Sequence, residues 1–233
     1  MIDLSQRSGK KELLDEPDIP FADIKQNMLE LNFINTRLGG HSITLKGLKQ
    51  LLSGRNTPIT ICEIGCGGGD NLSAIYKWCI KNKMAVTFIG IDLKKECIDF
   101  ARQKYPQLPA IWITSDYILS DLPEQPDIIF SSLFCHHFSN NAIVSMLQWM
   151  QGNCRIGFFI NDLQRNFFAY YSIWWLTKIF SRSYLVKNDA PLSVARGFHK
   201  IEWQRLFLKA GIKVYVINWQ WAFRYLIVCK KGG

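Results

Sequence analysis

The chain has 233 residues, 48% apolar and 20% charged, the composition of one sizeable folded α/β unit; a disordered chain, a fibrous one, and two full domains with a linker are all excluded. Its formal net charge of +9 comes from lysines and arginines scattered over every predicted helix, which describes a solvated basic surface and not a compact nucleic-acid stripe. The cysteines, at positions 62, 66, 79, 97, 135, 154 and 229, are odd in number and include no Cys-x-x-Cys pair, so they read as reduced core thiols and no metal site is expected.

In chain order, residues 1 to about 20 are polar and read as an extended arm. From Phe21 to about Leu52 apolar residues recur at helical spacing (Ile24, Met28, Leu31, Ile34, then Leu45, Leu48, Leu51, Leu52) and break at Gly39-Gly40. Residues 1–56 are therefore set apart as an arm and a two-piece helical cap, and residues 57–233 as the main domain. Short β-type runs follow at Ile59–Ile64, Val86–Ile91, Ala110–Thr114, Ile128–Ser131 and Ile156–Ile160. They alternate with helical patterns at Asn71–Lys81, Lys95–Lys104 and Asn140–Met150. This rhythm predicts a doubly wound, mostly parallel sheet of seven strands covered on both faces. An aromatic helical insertion at about 163–198 interrupts it. A helix at Ile201–Ala210 and strands at Lys213–Trp219 and Arg224–Lys230 complete the chain, the last two joined too tightly to be anything but antiparallel. Neither a signal-like N-terminus nor a run of about 20 apolar residues is present, and a cytoplasmic protein is expected.

In such a sheet, ligands sit beyond the C-terminal strand ends, against the first strand-to-helix turn. Gly65, Gly67 and Gly69 fall in that turn, where the backbone bends sharply and a ligand lies against it. A dinucleotide-binding turn wants a further glycine where this chain has Asp70. Glu63, two residues before the first glycine, would repel a pyrophosphate but suits the ammonium of an amino-acid-bearing cofactor. Asp92 ends the second strand, where an acid accepts ribose hydroxyls. Asp116 follows the third, within reach of an adenine amine.

With these acids and the run Glu63-Ile64-Gly65-Cys66-Gly67-Gly68-Gly69, the chain resembles the class I S-adenosylmethionine (SAM)-dependent methyltransferases. The resemblance covers roughly residues 57–160 and the reversed last strand. It implies a Rossmann-like methyltransferase fold, SAM as cofactor, and Glu63, Gly65, Cys66, Gly67, Gly69, Asn71, Asp92, Leu93, Asp116, Tyr117, Ser131 and Ser132 as its surroundings. Leu38-Gly39-Gly40, Asn161-Asp162-Leu163 and Leu192-Ser193-Val194 further resemble the small-molecule branch related to quinone biosynthesis and to enzymes that accompany type III polyketide synthases. That implies a phenolic or quinol acceptor.

Methyl transfer from a sulfonium is an in-line displacement, and a hydroxyl acceptor also needs a base. His136 and His137, after the fourth strand, are candidates for it, as is Asp162, and each also reads as a packing residue. Arg165, Tyr170, Trp174 and His199 are candidate acceptor contacts; Arg165 reads equally as a tie for the insertion, and His199 as a cap for the helix carrying Glu202. The insertion's aromatics, Phe167, Phe168, Tyr170, Tyr171, Trp174, Trp175 and Phe180, read as a lid wedged between core and ligand. Lys178, Arg182 and Lys187 beside them suit peripheral contact with a membrane surface. The alternatives are a nucleic-acid methyltransferase, against which Ser131-Ser132-Leu133-Phe134 stands where such enzymes carry Asp or Asn with Pro-Pro and an aromatic, and a catalytically silent SAM- or lipid-binding module.

Overall fold

The structure is a computed structural model in which residues 2–16, 18–55 and 57–231 are described. The strands are β1 (Ile59–Ile64), β2 (Val86–Asp92), β3 (Ala110–Thr114), β4 (Ile128–Ser132), β5 (Gly157–Leu163), β6 (Val216–Gln220) and β7 (Arg224–Lys230). They form one sheet in the order β3-β2-β1-β4-β5-β7-β6, parallel through β5, with β7 antiparallel to both neighbours. The predicted doubly wound sheet with a reversed last strand is thus the observed fold.

The helices are α1 (Phe21–Arg37), α2 (Gly40–Leu52), α3 (Asp70–Lys81), α4 (Lys95–Lys104), α5 (Asn140–Asn153), α6 (Phe167–Phe180), α7 (Tyr184–Arg196) and α8 (Lys200–Lys209). Side chains alternate across each strand, so β1 sends Ile59 and Ile61 to one face and Cys62 and Ile64 to the other. On the first face they meet Leu48 and Leu51 of α2 and Leu72 and Ile75 of α3. On the second they join a core holding Met146 and Leu147 of α5 and Trp203 and Phe207 of α8. Burial on both faces is why every residue of β1 and β4 is buried.

Three details differ from the sequence expectation. The insertion holds two helices, not one, and its ends meet: Phe198 N donates to Leu163 O and Arg165 N to Phe198 O. β5 runs on to Leu163, so Asp162 is a strand residue paired with Tyr225 of β7. The arm, in place of leading loosely into the fold, folds back over α7 through a short 3-10 turn (Leu13–Asp15), where Asp189 accepts from Leu13 N and Leu14 N. None of the described helices is long and apolar enough to cross a membrane.

Candidate active site

β1 is flanked by β2 on one side and β4 on the other, so the strand order reverses there and a crevice opens beyond its C-terminal end. The chain leaves β1 through Gly65, Gly67 and Gly69, all at positive φ (67, 49 and 75°). A Cβ on Gly65 would sit 2.3 Å from the Phe134 ring and one on Gly69 2.7 Å from Trp112, whereas one on Gly67 meets nothing within 4 Å. Packing thus dictates the first and third glycines. Gly67 is the position open to the crevice.

Glu63 is buried beside this turn. Its Oε1 accepts from Asn71 Nδ2 at 2.8 Å and its Oε2 has no partner, and burial holds the carboxyl well above the usual range despite the Asn71 bond. Asp92 is pinned by backbone: Oδ2 accepts from Gly67 N at 2.8 Å and Oδ1 from Lys94 N at 2.9 Å. Burial raises its carboxyl too, against the pull of those bonds. Asp116 stays exposed and accepts from Ile118 N; Leu93 projects openly; Cys66 is buried, its N–H donating to Ile91 O. An orphaned carboxylate oxygen, a cradle free of side chains and two further acids fit a cationic amino-acid nucleoside, so the residues present suit SAM.

A second opening lies against β4, β5 and the helical layer. It is a cavity of about 390 Å³ walled by Leu31 and Ile34 of α1, Ile173 and Leu176 of α6, Val186 of α7, and Trp219 and Trp221 at the β6–β7 hairpin. Its lining is mostly apolar, as in pockets for organic ligands. Polar groups enter at a few points. Asn27 is buried with neither amide atom partnered, and Arg224 is buried with Nε free while one guanidinium nitrogen donates to Asn35. Burial lowers the Arg224 guanidinium to about 10, against the opposing charge of Asp162.

Backbone strain borders the same cavity. Leu133, Ala222 and Phe223 all hold left-handed φ (53, 59 and 53°), which costs non-glycine residues energy and gathers at functional sites. Leu133 lies between the end of β4 and a 3-10 turn at Cys135–His137, and its N–H donates to Asn161 O. That anchored kink brings His136 and His137 to the cavity wall.

His136 Nδ1 lies 2.7 Å from Asp162 Oδ1, and Asp162 Oδ2 accepts from His136 N. Burial would raise Asp162, but the charge and hydrogen bond of His136 prevail and hold it below the usual carboxylate range. The other ring nitrogen, Nε2, points toward Glu12 at 3.6 Å, and His137 Nε2 is 3.7 Å from the same carboxylate. Glu12 is 3% exposed, accepts from Ser193 Oγ at 2.8 Å, and is pushed by burial up to about 7. His137 Nδ1 is 3.1 Å from Asp15, which stays below its usual range because that contact outweighs burial.

The predicted candidates therefore divide. His136 and His137 line the cavity, and Asp162 is wholly buried behind His136. Arg165 is not there: it is 1% exposed, its guanidinium donating to both Glu202 oxygens and to the carbonyls of Leu4, Ser5 and Gly197, so it staples the arm to the neck of the insertion. His199 is the N-cap of α8, where Glu202 accepts from its N–H. Tyr170 and Trp174 do not line the cavity; Ala169, Ser172, Ile173 and Leu176, on another side of the same helix, do. Nor are the aromatics of α6 wedged inside, since Phe168, Trp175 and Phe180 are more than half exposed.

Of the expected cofactor surroundings, Tyr117 is buried in the core, edge-on to Phe134, Phe138 and Trp149. Ser131 is wholly buried with its hydroxyl 3.4 Å from Cys135 Sγ, and Ser132 accepts from Asn161 Nδ2. Neither Tyr117 nor Ser131 offers its side chain to the crevice. Glu12, Asn27 and Arg224 had no signal as site residues. The first two lie in a polar arm and on a helix face, and only the charge opening the otherwise apolar run of β7 marks the third.

Residues 61–157 match the model of the Methyltransferase domain family. No curated protein matches the chain by sequence. Among solved structures the chain is similar to the plantazolicin methyltransferase BpumL in complex with SAH, at 18% identity over 94% of this chain and 92% of that one, with a TM-score of 0.67. It is similar to magnesium protoporphyrin IX methyltransferase (ChlM) from Synechocystis PCC 6803 with bound SAM, at 11% identity over 93% and 86%, with a TM-score of 0.55. Human N-acetylserotonin methyltransferase in complex with SAM shares 14% identity over 92% of this chain and 57% of that one, with a TM-score of 0.64. These likenesses carry the fold, and the match to the Methyltransferase domain family falls on the segment from β1 to the start of β5 that builds the crevice, where the residues present suit SAM.

Proposed function

We propose that the chain methylates a hydroxyl of a small, largely apolar acceptor, a phenol or quinol of a secondary metabolite or lipid, held in the cavity between the sheet and the α1, α6 and α7 layer. The observation that carries this reading is His136 on the wall of that apolar cavity, held from behind by the buried Asp162. In the cofactor crevice, Glu63 would receive the ammonium on its unpartnered Oε2, Asp92 the ribose hydroxyls and Asp116 the adenine amine. SAM bound there supplies an electrophilic methyl carbon on a positive sulfur.

The remaining work belongs to the chain's own residues. Leu31, Ile34, Ile173 and Leu176 exclude water and hold the acceptor's apolar body, while Asn27 and Arg224 orient its polar substituents. Asp162 accepts the Nδ1 proton of His136 and so presents Nε2 as a base. With SAM in the crevice, the acceptor oxygen would bond to the methyl carbon as the carbon–sulfur bond opened, and Nε2 of His136 would take the hydroxyl proton. The names of the similar structures, plantazolicin, magnesium protoporphyrin IX and N-acetylserotonin methyltransferases, support an organic small-molecule acceptor. The outward apolar face of α6, with Lys178 and Arg182 beside it, supports contact with a membrane surface for a lipid-tailed acceptor.

The test is incubation with methyl-labelled SAM and a panel of phenols, quinols, acidic metabolites and RNA. Label is expected in a phenol or quinol. Label in RNA alone, or tight SAM binding with transfer to no panel member, overturns the reading.

A further inference from the structure

Glu12, His136 and His137 present ligand atoms that all lie within 4.8 Å of one another, on one side of the acceptor cavity. They come from distant parts of the chain, the arm and the turn after β4, so the convergence is tertiary and not a by-product of local sequence. Each imidazole is oriented by its own carboxylate: Asp162 sits 2.7 Å from Nδ1 of His136 and Asp15 sits 3.1 Å from Nδ1 of His137. A carboxylate accepts, so both Nδ1 atoms donate, and both Nε2 atoms face Glu12.

Two neutral imidazoles facing an ionised Glu12 would repel it, and a cation held among the three would remove that repulsion. The Nε2–oxygen separations of 3.6 and 3.7 Å are too long for direct hydrogen bonds. They are close to the spacing of atoms that share a cation, because zinc bonds of about 2.0–2.1 Å place tetrahedral ligand atoms about 3.4 Å apart. The 3.6 Å separation runs from His136 to Oε1, which also accepts from Ser193, and the 3.7 Å one from His137 to Oε2, so each carboxylate oxygen faces one imidazole. A histidine donating its far ring nitrogen to a carboxylate is also the usual outer support of a metal ligand, and here it occurs twice.

From this geometry we infer that Glu12, His136 and His137 bind one divalent transition-metal ion that suits imidazole, such as zinc or iron(II), with its open coordination positions facing the acceptor cavity. The inference deepens the proposed function and rests on its placement of the acceptor in this cavity, but it changes the agent of proton removal. With Nε2 of His136 spent on the ion, the metal would acidify an acceptor hydroxyl bound to it, whose proton would leave to bulk water as the acceptor enters, and the oxygen anion would take the methyl group as the carbon–sulfur bond opened. Asp15 and Asp162 are then positioning residues that act through the two imidazoles.

The test is titration of the chelator-treated full chain with Co²⁺ alone, followed by visible absorption, with SAM affinity measured on the same preparations. One saturable site per chain is expected. Glu12→Gln and His137→Ala should each weaken it at least 10-fold, and Asp15→Asn by about 10- to 100-fold, all with SAM affinity retained. Absence of saturable Co²⁺ binding in protein that binds SAM overturns the inference, as does equal binding by the double variant Glu12→Gln, His137→Ala. The two proposals fail separately. Full phenol methylation by metal-free enzyme returns the proton to His136 and removes only the metal, whereas one bound Co²⁺ with no methylated acceptor removes only the acceptor reading.

Discussion

Asp162 touches His136 twice, accepting from its backbone N–H through Oδ2 and facing its Nδ1 at 2.7 Å through Oδ1. The contact fixes both where the imidazole stands and which of its nitrogens is free. Asp162→Asn keeps the shape but removes the charge and permits the other tautomer. Turnover is expected to fall by about 10²- to 10⁴-fold, the usual worth of a positioned acid–base group, with SAM affinity unchanged. Steady-state kinetics beside calorimetry checks this; an equal loss of SAM affinity would make the pair a purely structural one.

SAM binding is expected to release protons. Burial raises the Glu63 and Asp92 carboxyls, so each keeps its proton to a higher pH than a free carboxyl, and an incoming ammonium or ribose favours the ionised forms. Affinity should therefore rise with pH through the raised values. For the empty chain the sign is opposite: a carboxyl raised on folding contributes stability that is present below its unfolded value and lost as pH climbs through the folded one. Calorimetry in buffers of different ionisation enthalpy reads the proton count directly. A binding heat independent of buffer would mean that both acids are already ionised.

Asp92→Ala should weaken SAM by about 1.5–3 kcal/mol, the worth of hydrogen bonds to a charged group. The variant also loses the two backbone bonds that Asp92 accepts from Gly67 and Lys94, so the turn itself should loosen. Unchanged affinity would show that the ribose lies elsewhere.

Arg165→Ala is expected to destabilise the fold by about 3–5 kcal/mol, since it breaks a buried ion pair and leaves the carbonyls of Leu4, Ser5 and Gly197 without their donor. Arg165→Lys should rescue little, because an ammonium cannot span Glu202 and those carbonyls together. Denaturant unfolding measures both. A loss in acceptor KM with unchanged stability would restore Arg165 to the acceptor site.

Asn27→Leu should separate stability from function. Its amide is buried with neither atom partnered, so an apolar replacement of similar volume is expected to raise stability by about 1–3 kcal/mol while raising the KM of the methylated acceptor. A variant that is stabilised with unaltered KM would exclude Asn27 from acceptor contact.

The sheet was legible because its central strands are buried on both faces and so read as short continuous apolar runs, with helical periodicity between them. The glycine turn and the acids at the strand ends were legible for a similar reason: the bend forces the residue type. Tyr170 and Trp174 misled because an aromatic run looks like a wall, yet α6 turns Ala169, Ile173 and Leu176 to the cavity and leaves its bulkiest rings outside. Arg165 was ambiguous because a charge in sequence carries no sign of whether its partner is a ligand or Glu202. Glu12 was invisible, since only the fold-back of the arm over α7 brings it to His136 and His137. Ser131 and Tyr117 sit at the expected positions in the chain, but the pleat and the turn direct their side chains into the core.

The way the arm is fastened ties the pocket to two distant parts of the chain at once. Glu12 meets its imidazole neighbours alongside Ser193, and Arg7 donates to the carbonyls of His136, Phe138 and Arg196, so this stretch settles only when the turn after β4 and the end of α7 are both in place. Contacts of such long sequence separation close late in folding, and the wall that carries the imidazoles depends on them.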